Sequence, residues 1–369
     1  MDSFAFLVHP RHLEDIYRKF RFARRLPAGL THKLLAAMPP WKLAEIRGVD
    51  SSRAKIRGFF IAVPLTSQQM LQLPVDFVIE RVLQAGRLAE KMGAKLLGLG
   101  AYTSVVGDGG ITLARSLKIP VTSGNSLTAA AAIAAVPMAA RLMGMDLSQS
   151  EVTVIGTGAK ECPGLVIAEA ASLLLAGKAR RVRLAGREKE CLIRIPRRGI
   201  IDNSLRVEYT FELREALRRA DVVLVTAGSS ELVIFPEDLK PGAILCDIAR
   251  PREVSERIAS LRNDVLVFDG GLLEVPGEVD FGFSFGLPAP LTYPCIAETM
   301  VLTLEGRYEN YSLGNMLEAD KIVEIYQIAQ RYGFRLAALR FNEQVLEPER
   351  CLMVKARASL KKSAATGRK

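Results

Sequence analysis

The chain has 369 residues, 49% of them hydrophobic, 24% charged and 7% aromatic, a composition that excludes a disordered or repeat protein and leaves room for two domains with a sizeable core. The formal charge of +10 does not by itself call for nucleic acid: residues 350–369 hold seven Lys/Arg and no acid, so the rest of the chain carries only about +3. Five cysteines, at 162, 191, 246, 295 and 351, form neither a disulfide framework nor a metal-ligand pattern and are expected as reduced thiols.

In chain order, MDSFAFLVHPRH lacks the basic segment, long apolar run and cleavage site of a secretory signal, so a cytoplasmic location is expected. FAFLV (4–8) reads as a strand. RKFRFARR (18–25) places two phenylalanines among its cations. It is either a solvated helix face with an anchored aromatic stripe or a docking surface for an acidic partner. No nucleic-acid-binding signature accompanies it, and no nucleic acid is expected as a partner. IRGFFIAVPL (56–65) reads as a second strand, and a helix is expected from Val75 to Met92 on the stripe Phe77, Val78, Val82, Leu83, Ala85, Leu88. KLLGLGAYTSVVGDGG (95–110) runs from a buried strand into a Gly-rich loop that must bring backbone close to a neighbouring strand or a ligand. LTAAAAIAAVPMAA (127–140) contains Pro137 and runs into Arg141, so a packed helix over 126–144 is expected and no transmembrane segment. Its alanines suit either close helix packing or the lining of an apolar pocket.

From Glu151 the pattern changes. VTVIG (152–156), RVRLA (181–185), VVLVTAG (222–228), AILCDIA (243–249) and VLVFDGG (265–271) are short apolar strands, with helices over 163–176 and 211–219 between them. Fully apolar strands separated by helices imply a parallel sheet covered on both faces. VTVIGTGAKECPG (152–164) joins a strand to a helix through a Gly-rich turn. There Gly156, Thr157, Gly158, Ala159 and Gly164 suit a dinucleotide pyrophosphate at a helix N-terminus. The third glycine of the usual motif is replaced by Glu161, which leaves open a Gly-rich turn of a non-binding domain. At the end of the second strand stand Arg187 and Lys189 where an NAD enzyme presents an acid, so NADPH is favoured, against the reading of a plain surface charge run. Thr226 and Gly228 end the fourth strand and are assigned to the cofactor with them. The fold class is therefore α/β, a Rossmann-type doubly wound parallel sheet with an N-terminal α/β substrate domain. The expected organisation is the substrate domain over 1–145, an NADP-binding domain over 146–290, C-terminal helices over 291–345 that pack back on the active site, and a flexible basic tail over 346–369.

LTYPCIAETM (291–300) places Cys295 just after Pro294 at the start of an apolar helix, with Glu298 in the same turn. A thiol at a helix start feels the positive end of the dipole, which favours the thiolate, and a thiolate can take an acyl group from a thioester. Free cysteines are more often buried bystanders, and position alone leaves Cys295 as one candidate among five. All three histidines precede residue 33, so any histidine partner has to come from the first domain.

These blocks together resemble the long-chain acyl-[acyl-carrier-protein] reductases of cyanobacteria and their relatives. The similarity runs through LGLGAYTSVVGDGG (97–110), PVTSGNSLTAA (120–130), the Gly loop, Arg187 and YPCIAETMVLTLEGRYENYSLG (293–314). The last block matches at Cys295, Ala297, Glu298, Glu305, Gly306, Asn310 and Ser312. The resemblance implies that Cys295 carries the acyl group with Glu298 as a second catalytic residue, and that NADPH reduces the enzyme thioester to an aldehyde. It implies an acyl carrier protein or CoA thioester as partner and substrate, and substrate contacts at Ser123, Gly124 and Asn125. A magnesium dependence rests on the resemblance alone, since no carboxylates stand at metal-ligand spacing and no metal ligands are assigned. Where the family continues with Thr-His-Thr, this chain has Ser126, Leu127 and Thr128, which leaves open a shorter or different acyl group. CDIARPREVSERI (246–258) also resembles glutamyl-tRNA reductases, and the cofactor half is similar to shikimate-type dehydrogenases. The alternatives are a dehydrogenase of a small polar or amino-acid-derived substrate with a structural Cys295, and a non-catalytic nucleotide- or acyl-binding module.

Overall fold

The computed structural model describes the chain apart from residues 105, 157–162, 187–206, 227–233, 249–252, 315–316, 343 and 367–369. The chain divides into two compact units. The first comprises Met1–Leu127, Leu273–Met316 and Glu324–Arg335; the second comprises Thr128–Leu272, Leu317–Val323 and Leu336–Lys369. The contact boundary thus falls at Leu127, inside the Ala-rich segment, where the sequence placed it near 145.

The first unit opens with β1 (Asp2–Val8), the expected strand. Two short helices follow, α1 (Leu13–Lys19) and α2 (Ala28–Ala37), then β2 (Trp41–Asp50) and β3 (Lys55–Ala62). After α3 (Ser67–Gln72) and α4 (Val75–Lys91) come β4 (Leu97–Gly98), α5 (Ile111–Ser116) and β5 (Val121–Thr122). The sheet order is β2-β3-β1-β4-β5, with β2 antiparallel and the other pairs parallel. Alternation along β1 separates its faces. Ala5 and Leu7 join Ile61 and Val63 against the Val78, Val82, Ala85 and Ala89 stripe of α4, where each fully buried aliphatic side chain contributes roughly 1.5–3 kcal/mol. β2 has no counterpart among the strands expected from sequence. Register shifts at Lys42/Ala44 and Ile46/Val49 break its two-residue period, so no clean alternation is visible in WKLAEIRGVD.

α6 (Asn125–Leu142) follows β5 and is the expected Ala-rich helix. In the second unit its alanines serve close packing: a Cβ on Gly271 would stand 2.4 Å from the carbonyl oxygen of Ala131. The second unit's sheet takes β6 (Glu151–Ile155), β7 (Arg181–Ala185), β8 (Val207–Thr210), β9 (Val222–Val225), β10 (Ile244–Asp247) and β11 (Leu266–Asp269). Helices α7 (Pro163–Ala176), α8 (Leu213–Arg219) and α9 (Glu253–Leu261) lie between them in sequence. All neighbouring pairs are parallel, in the order β11-β10-β9-β6-β7-β8. This is the Rossmann arrangement, in which the order reverses between β6 and β9 and opens a crevice beyond the strands' carboxyl ends.

The chain then returns to the first unit through the antiparallel pair β12 (Leu273–Glu274) and β13 (Leu291–Thr292). Next comes α10 (Pro294–Glu305), which is buried almost all round. It presses on β4 so closely that a Cβ on Gly98 would meet the Thr299 hydroxyl at 2.1 Å. Pro294 occupies the first turn of α10, and Gly306 ends it with a left-handed φ of +70°. After α11 (Ala319–Arg331) the last described element is α12 (Pro348–Thr366). This corrects the flexible tail expected over 346–369: Cys351, Val354 and Ala358 are buried at helical spacing, and Lys361 Nζ lies 2.8 Å from the buried carboxylate of Asp264. Among the described residues no helix is long and apolar enough to cross a membrane.

Candidate active site

Cys295 is the second residue of α10, and its side chain is half-buried. Gly124, two residues beyond the carboxyl end of β5, lies directly against it. Its φ is +77°, and a Cβ there would stand 2.4 Å from both Cα and Cβ of Cys295. Only glycine satisfies both the left-handed backbone and the contact. Thr299 Oγ1 donates to the Cys295 carbonyl at 3.3 Å, within the turn. Beside the N-terminus of α10 the rings of Phe60, Phe281, Phe283, Phe285 and Tyr293 pack in one cluster; Phe285 and Tyr293 are 6.1 Å apart at their centroids.

Glu298, one turn on from Cys295, is fully buried. Its Oε1 accepts from the hydroxyls of Thr122 and of Ser312, the latter at 2.8 Å, and its Oε2 accepts from the backbone N–H of Leu127 at 2.7 Å. Burial pushes its carboxyl above the usual range, against the lowering effect of donors on Thr122, Leu127, Ser312 and Gly124. Ser312 holds the cage in turn. Its hydroxyl accepts from Ser126 N–H at 3.2 Å and stands 2.7 Å from the Ser126 hydroxyl, while its carbonyl accepts from the Ser123 hydroxyl. Its φ of +54°, unusual for a side-chain-bearing residue, is fixed by these bonds. Asn310 Oδ1 accepts from Val121 N–H at 2.9 Å, and Tyr311 N–H donates to the Val121 carbonyl at 3.0 Å.

Blocks 120–130 and 293–314, singled out in the sequence, therefore meet. Cys295, Glu298, Ser123, Gly124, Asn310 and Ser312 form one constellation in the first unit, and Asn125 begins α6 next to it. The three hydrogen bonds to Glu298, each worth about 0.5–1.5 kcal/mol net, tie the loop after β5 to α10 one turn beyond Cys295. Thr122, Ser126 and Thr299 were not anticipated. An acid inside an apolar helix needs donors, but the sequence does not say that TSGNS (122–126) and NYS (310–312) supply them. The Gly-rich run 95–110 approaches a neighbouring segment in this unit: a Cβ on Gly109 would stand 2.9 Å from Gly314 backbone, and Gly314 N–H donates to the Gly109 carbonyl at 3.0 Å.

His9 follows β1, on the same carboxyl edge of the sheet as Gly124. Its Nε2 accepts from Tyr102 N–H at 3.2 Å, and its Nδ1 lies 3.1 Å from the Pro10 carbonyl. Burial lowers its pKa to about 4. The ring is neutral at ordinary pH and serves the loop at 100–104.

In the second unit Gly156 follows β6 and Thr226 follows β9, one on each side of the switch point. Gly156 N–H donates to the Ala185 carbonyl at 3.3 Å, and the Thr226 hydroxyl donates to the Ile155 carbonyl at 3.1 Å. Gly164 is the second residue of α7. Thr157, Gly158, Ala159, Arg187, Lys189 and Gly228 lie outside the described residues. The arrangement fits a pyridine nucleotide: a buried glycine ends the first strand at the switch point, and a helix begins shortly after it.

A family model for shikimate / quinate 5-dehydrogenase matches residues 138–269, which is the nucleotide-binding half. Among curated proteins, the chain is 30% identical to an aminotransferase, PigE, of Serratia sp., over 96% of this chain but only 42% of that protein. It is 25% identical to the long-chain acyl-[acyl-carrier-protein] reductase of Synechococcus elongatus, over 91% of this chain and 99% of that protein. Solved structures with similar folds include shikimate dehydrogenase from Aquifex aeolicus, at 10% identity and a TM-score of 0.37 over 89% of this chain and 98% of that one. The chain is thus a distant relative of the reductase and carries an oxidoreductase-type nucleotide-binding domain.

Proposed function

We propose that the protein reduces an acyl thioester to an aldehyde with NADPH, through an acyl group held on Cys295. The observation that carries this reading is Cys295 itself. It stands half-buried in the first turn of α10, against Gly124 just beyond the carboxyl end of β5, with Glu298 one turn further on bonded to the same loop. The likeness to the acyl-[acyl-carrier-protein] reductase over most of both chains supports the same chemistry.

In this scheme the Cys295 thiolate attacks the thioester carbonyl carbon. The bond from that carbon to the carrier sulfur breaks, and the carrier leaves as a thiol after taking up a proton. The nucleotide, when bound, supplies the hydride that reduces the carbonyl carbon. The bond to Cys295 sulfur then breaks, which releases the aldehyde and returns the thiolate. Glu298 acts as a positioning residue, because its oxygens are consumed by Thr122, Ser312 and Leu127 and it has no exposed surface. The half-buried rings of Phe283, Phe285 and Tyr293 offer apolar contact to an acyl chain. Arg187 and Lys189 are assigned to the 2′-phosphate on sequence grounds, and an acidic carrier docks on the cations of 18–25.

The match to the shikimate / quinate model favours a second reading, an NADP-dependent dehydrogenase of a small polar substrate in which Cys295 is structural. Cys295→Ser separates the two. With acyl-CoA or acyl carrier protein thioesters and NADPH, the wild type is expected to consume NADPH with aldehyde formation and the variant to lose this activity. A variant that retains full turnover, or a wild type that oxidises NADPH only with small polar ketones, overturns the thioester mechanism.

A further inference from the structure

We propose that the outer face of α12 is an interfacial surface that lays the protein on an anionic lipid bilayer. The inference is independent of the reaction assigned above and rests on the two faces of one helix. At 100° per residue, Cys351, Val354 and Ala358 share the inner face and are buried in the second unit. Lys361 continues that side: its ammonium lies 2.8 Å from Asp264, whose carboxylate is fully buried and also paired to Arg262 at 2.7 Å. α12 is thus seated and ordered before any partner arrives.

A surface helix seated in this way normally turns a polar face outward. Here Leu352, Met353, Ala356 and Leu360 point away from the buried stripe. Leu352 is 60% exposed, Met353 52% and Leu360 72%, which makes them three of the most exposed large apolar side chains in the second unit. Arg350 and Arg357 are exposed and border this outer stripe on one side, while Lys355 and Lys362 lie nearer the buried stripe, with their ammonium groups towards Gly144 and Gly242. No acid occurs from Arg350 to Thr366; the exposed Glu349 shares the outer face in the first turn, ahead of the stripe.

An apolar stripe flanked by the two arginines matches a surface that is apolar at depth and anionic above, which is a monolayer with acidic headgroups. The long stems of lysine and arginine let their charges reach the headgroups while the stripe enters the acyl boundary. Two copies meeting through this face would oppose cation to cation, which disfavours self-association. An acidic protein would satisfy the cations but would need its own apolar groove for Leu352, Met353 and Leu360. The helix lies on the bilayer and does not cross it.

The test is flotation of the purified full chain with vesicles of phosphatidylcholine alone and of an equal mixture of phosphatidylcholine and phosphatidylglycerol. The wild type is expected to float with the mixed vesicles only. The double variant L352S/L360S, altered at exposed positions, should weaken that binding about tenfold or more. R350E/R357E should weaken it at least about tenfold through charge alone, each cation near the membrane being worth about fivefold. Circular dichroism and thermal melting confirm that each variant is folded, and the charge variant keeps the question decidable if the apolar one is not. Wild-type flotation that survives both pairs of substitutions overturns the proposal. So does binding that is lost in Phe22→Ser within the other basic segment and unchanged in the α12 variants. A dimer in solution that L352S/L360S dissociates, with no flotation of the wild type, assigns the face to a second copy and also overturns it.

Discussion

Asp264 of the second unit and Glu298 of the first are both withdrawn from solvent, yet the chain treats their charges in opposite ways. Asp264 is held by the two-pronged guanidinium of Arg262, at 2.7 and 2.9 Å, and by Lys361. These cations keep its pKa at about 2, below the ordinary value, although burial acts to raise it. Glu298 is held by hydroxyls and backbone amides, and burial leaves its carboxyl above the usual range. A cation-paired acid fastens one element to another and can be dispensed with chemically. The Glu298 carboxyl in its neutral cage gathers the donors of Thr122, Ser312 and Leu127 next to Cys295 and the loop after β5. The difference marks the first as architecture and the second as preparation of a site.

Substitutions can break or sharpen that contrast. The largest effect is expected from Gly124→Ala, since its Cβ would overlap Cys295 by more than an ångström and the φ of +77° disfavours any side chain. A loss of about 3 kcal/mol or more in denaturant unfolding should come with loss of acylation at Cys295. Glu298→Ala is next: it leaves the donors of Thr122, Ser312 and Leu127 buried without their acceptor and should cost about 2–4 kcal/mol. Glu298→Gln should stay within about 1 kcal/mol of wild type, because the amide oxygen can still accept from Leu127 N–H and the hydroxyls of Thr122 and Ser312 can turn to accept. If Glu298 positions the site, E298Q keeps a measurable fraction of turnover with an unchanged pH profile. Complete loss in E298Q would instead assign the proton or the charge itself to catalysis.

The smallest effect belongs to Lys361→Ala, about 1 kcal/mol, because Lys361 is half-exposed and Arg262 remains. Its signature is in pH. The folded pKa of Asp264 lies below its unfolded value, so the stability it contributes is present above about pH 4 and is lost as pH falls towards 2. K361A should shrink that acid-dependent part of the unfolding curve. Glu298 has the opposite sign: its folded pKa is raised, so ionising it costs stability as pH rises through its titration range, and E298Q should remove that slope.

Much of the Rossmann half was readable in the sequence. The segments expected over 163–176 and 181–185 coincide with α7 and β7, because fully apolar runs bounded by turn residues leave few alternatives. The edge strands β2 and β8 were not readable: β2 is interrupted by register shifts, and β8 is half-exposed with no apolar run. The tail was misread through its charge. Seven cations obscured the Cys351, Val354, Ala358 spacing that seats α12. At the candidate site, Pro294 located the turn that presents Cys295. The cage around Glu298 stayed hidden because its donors come from segments 14 to 176 residues away in sequence, and no local pattern reports which hydroxyls meet a distant acid.

The most direct measurement is the intact mass of the protein after incubation with a panel of acyl-CoA and acyl carrier protein thioesters, before and after NADPH is added. An acyl-enzyme mechanism requires a mass gain equal to the acyl group, its disappearance with NADPH and aldehyde release, and no gain in Cys295→Ser. No adduct with any thioester, or an adduct that persists unchanged in Cys295→Ser, would contradict the assignment of Cys295 as the acyl carrier.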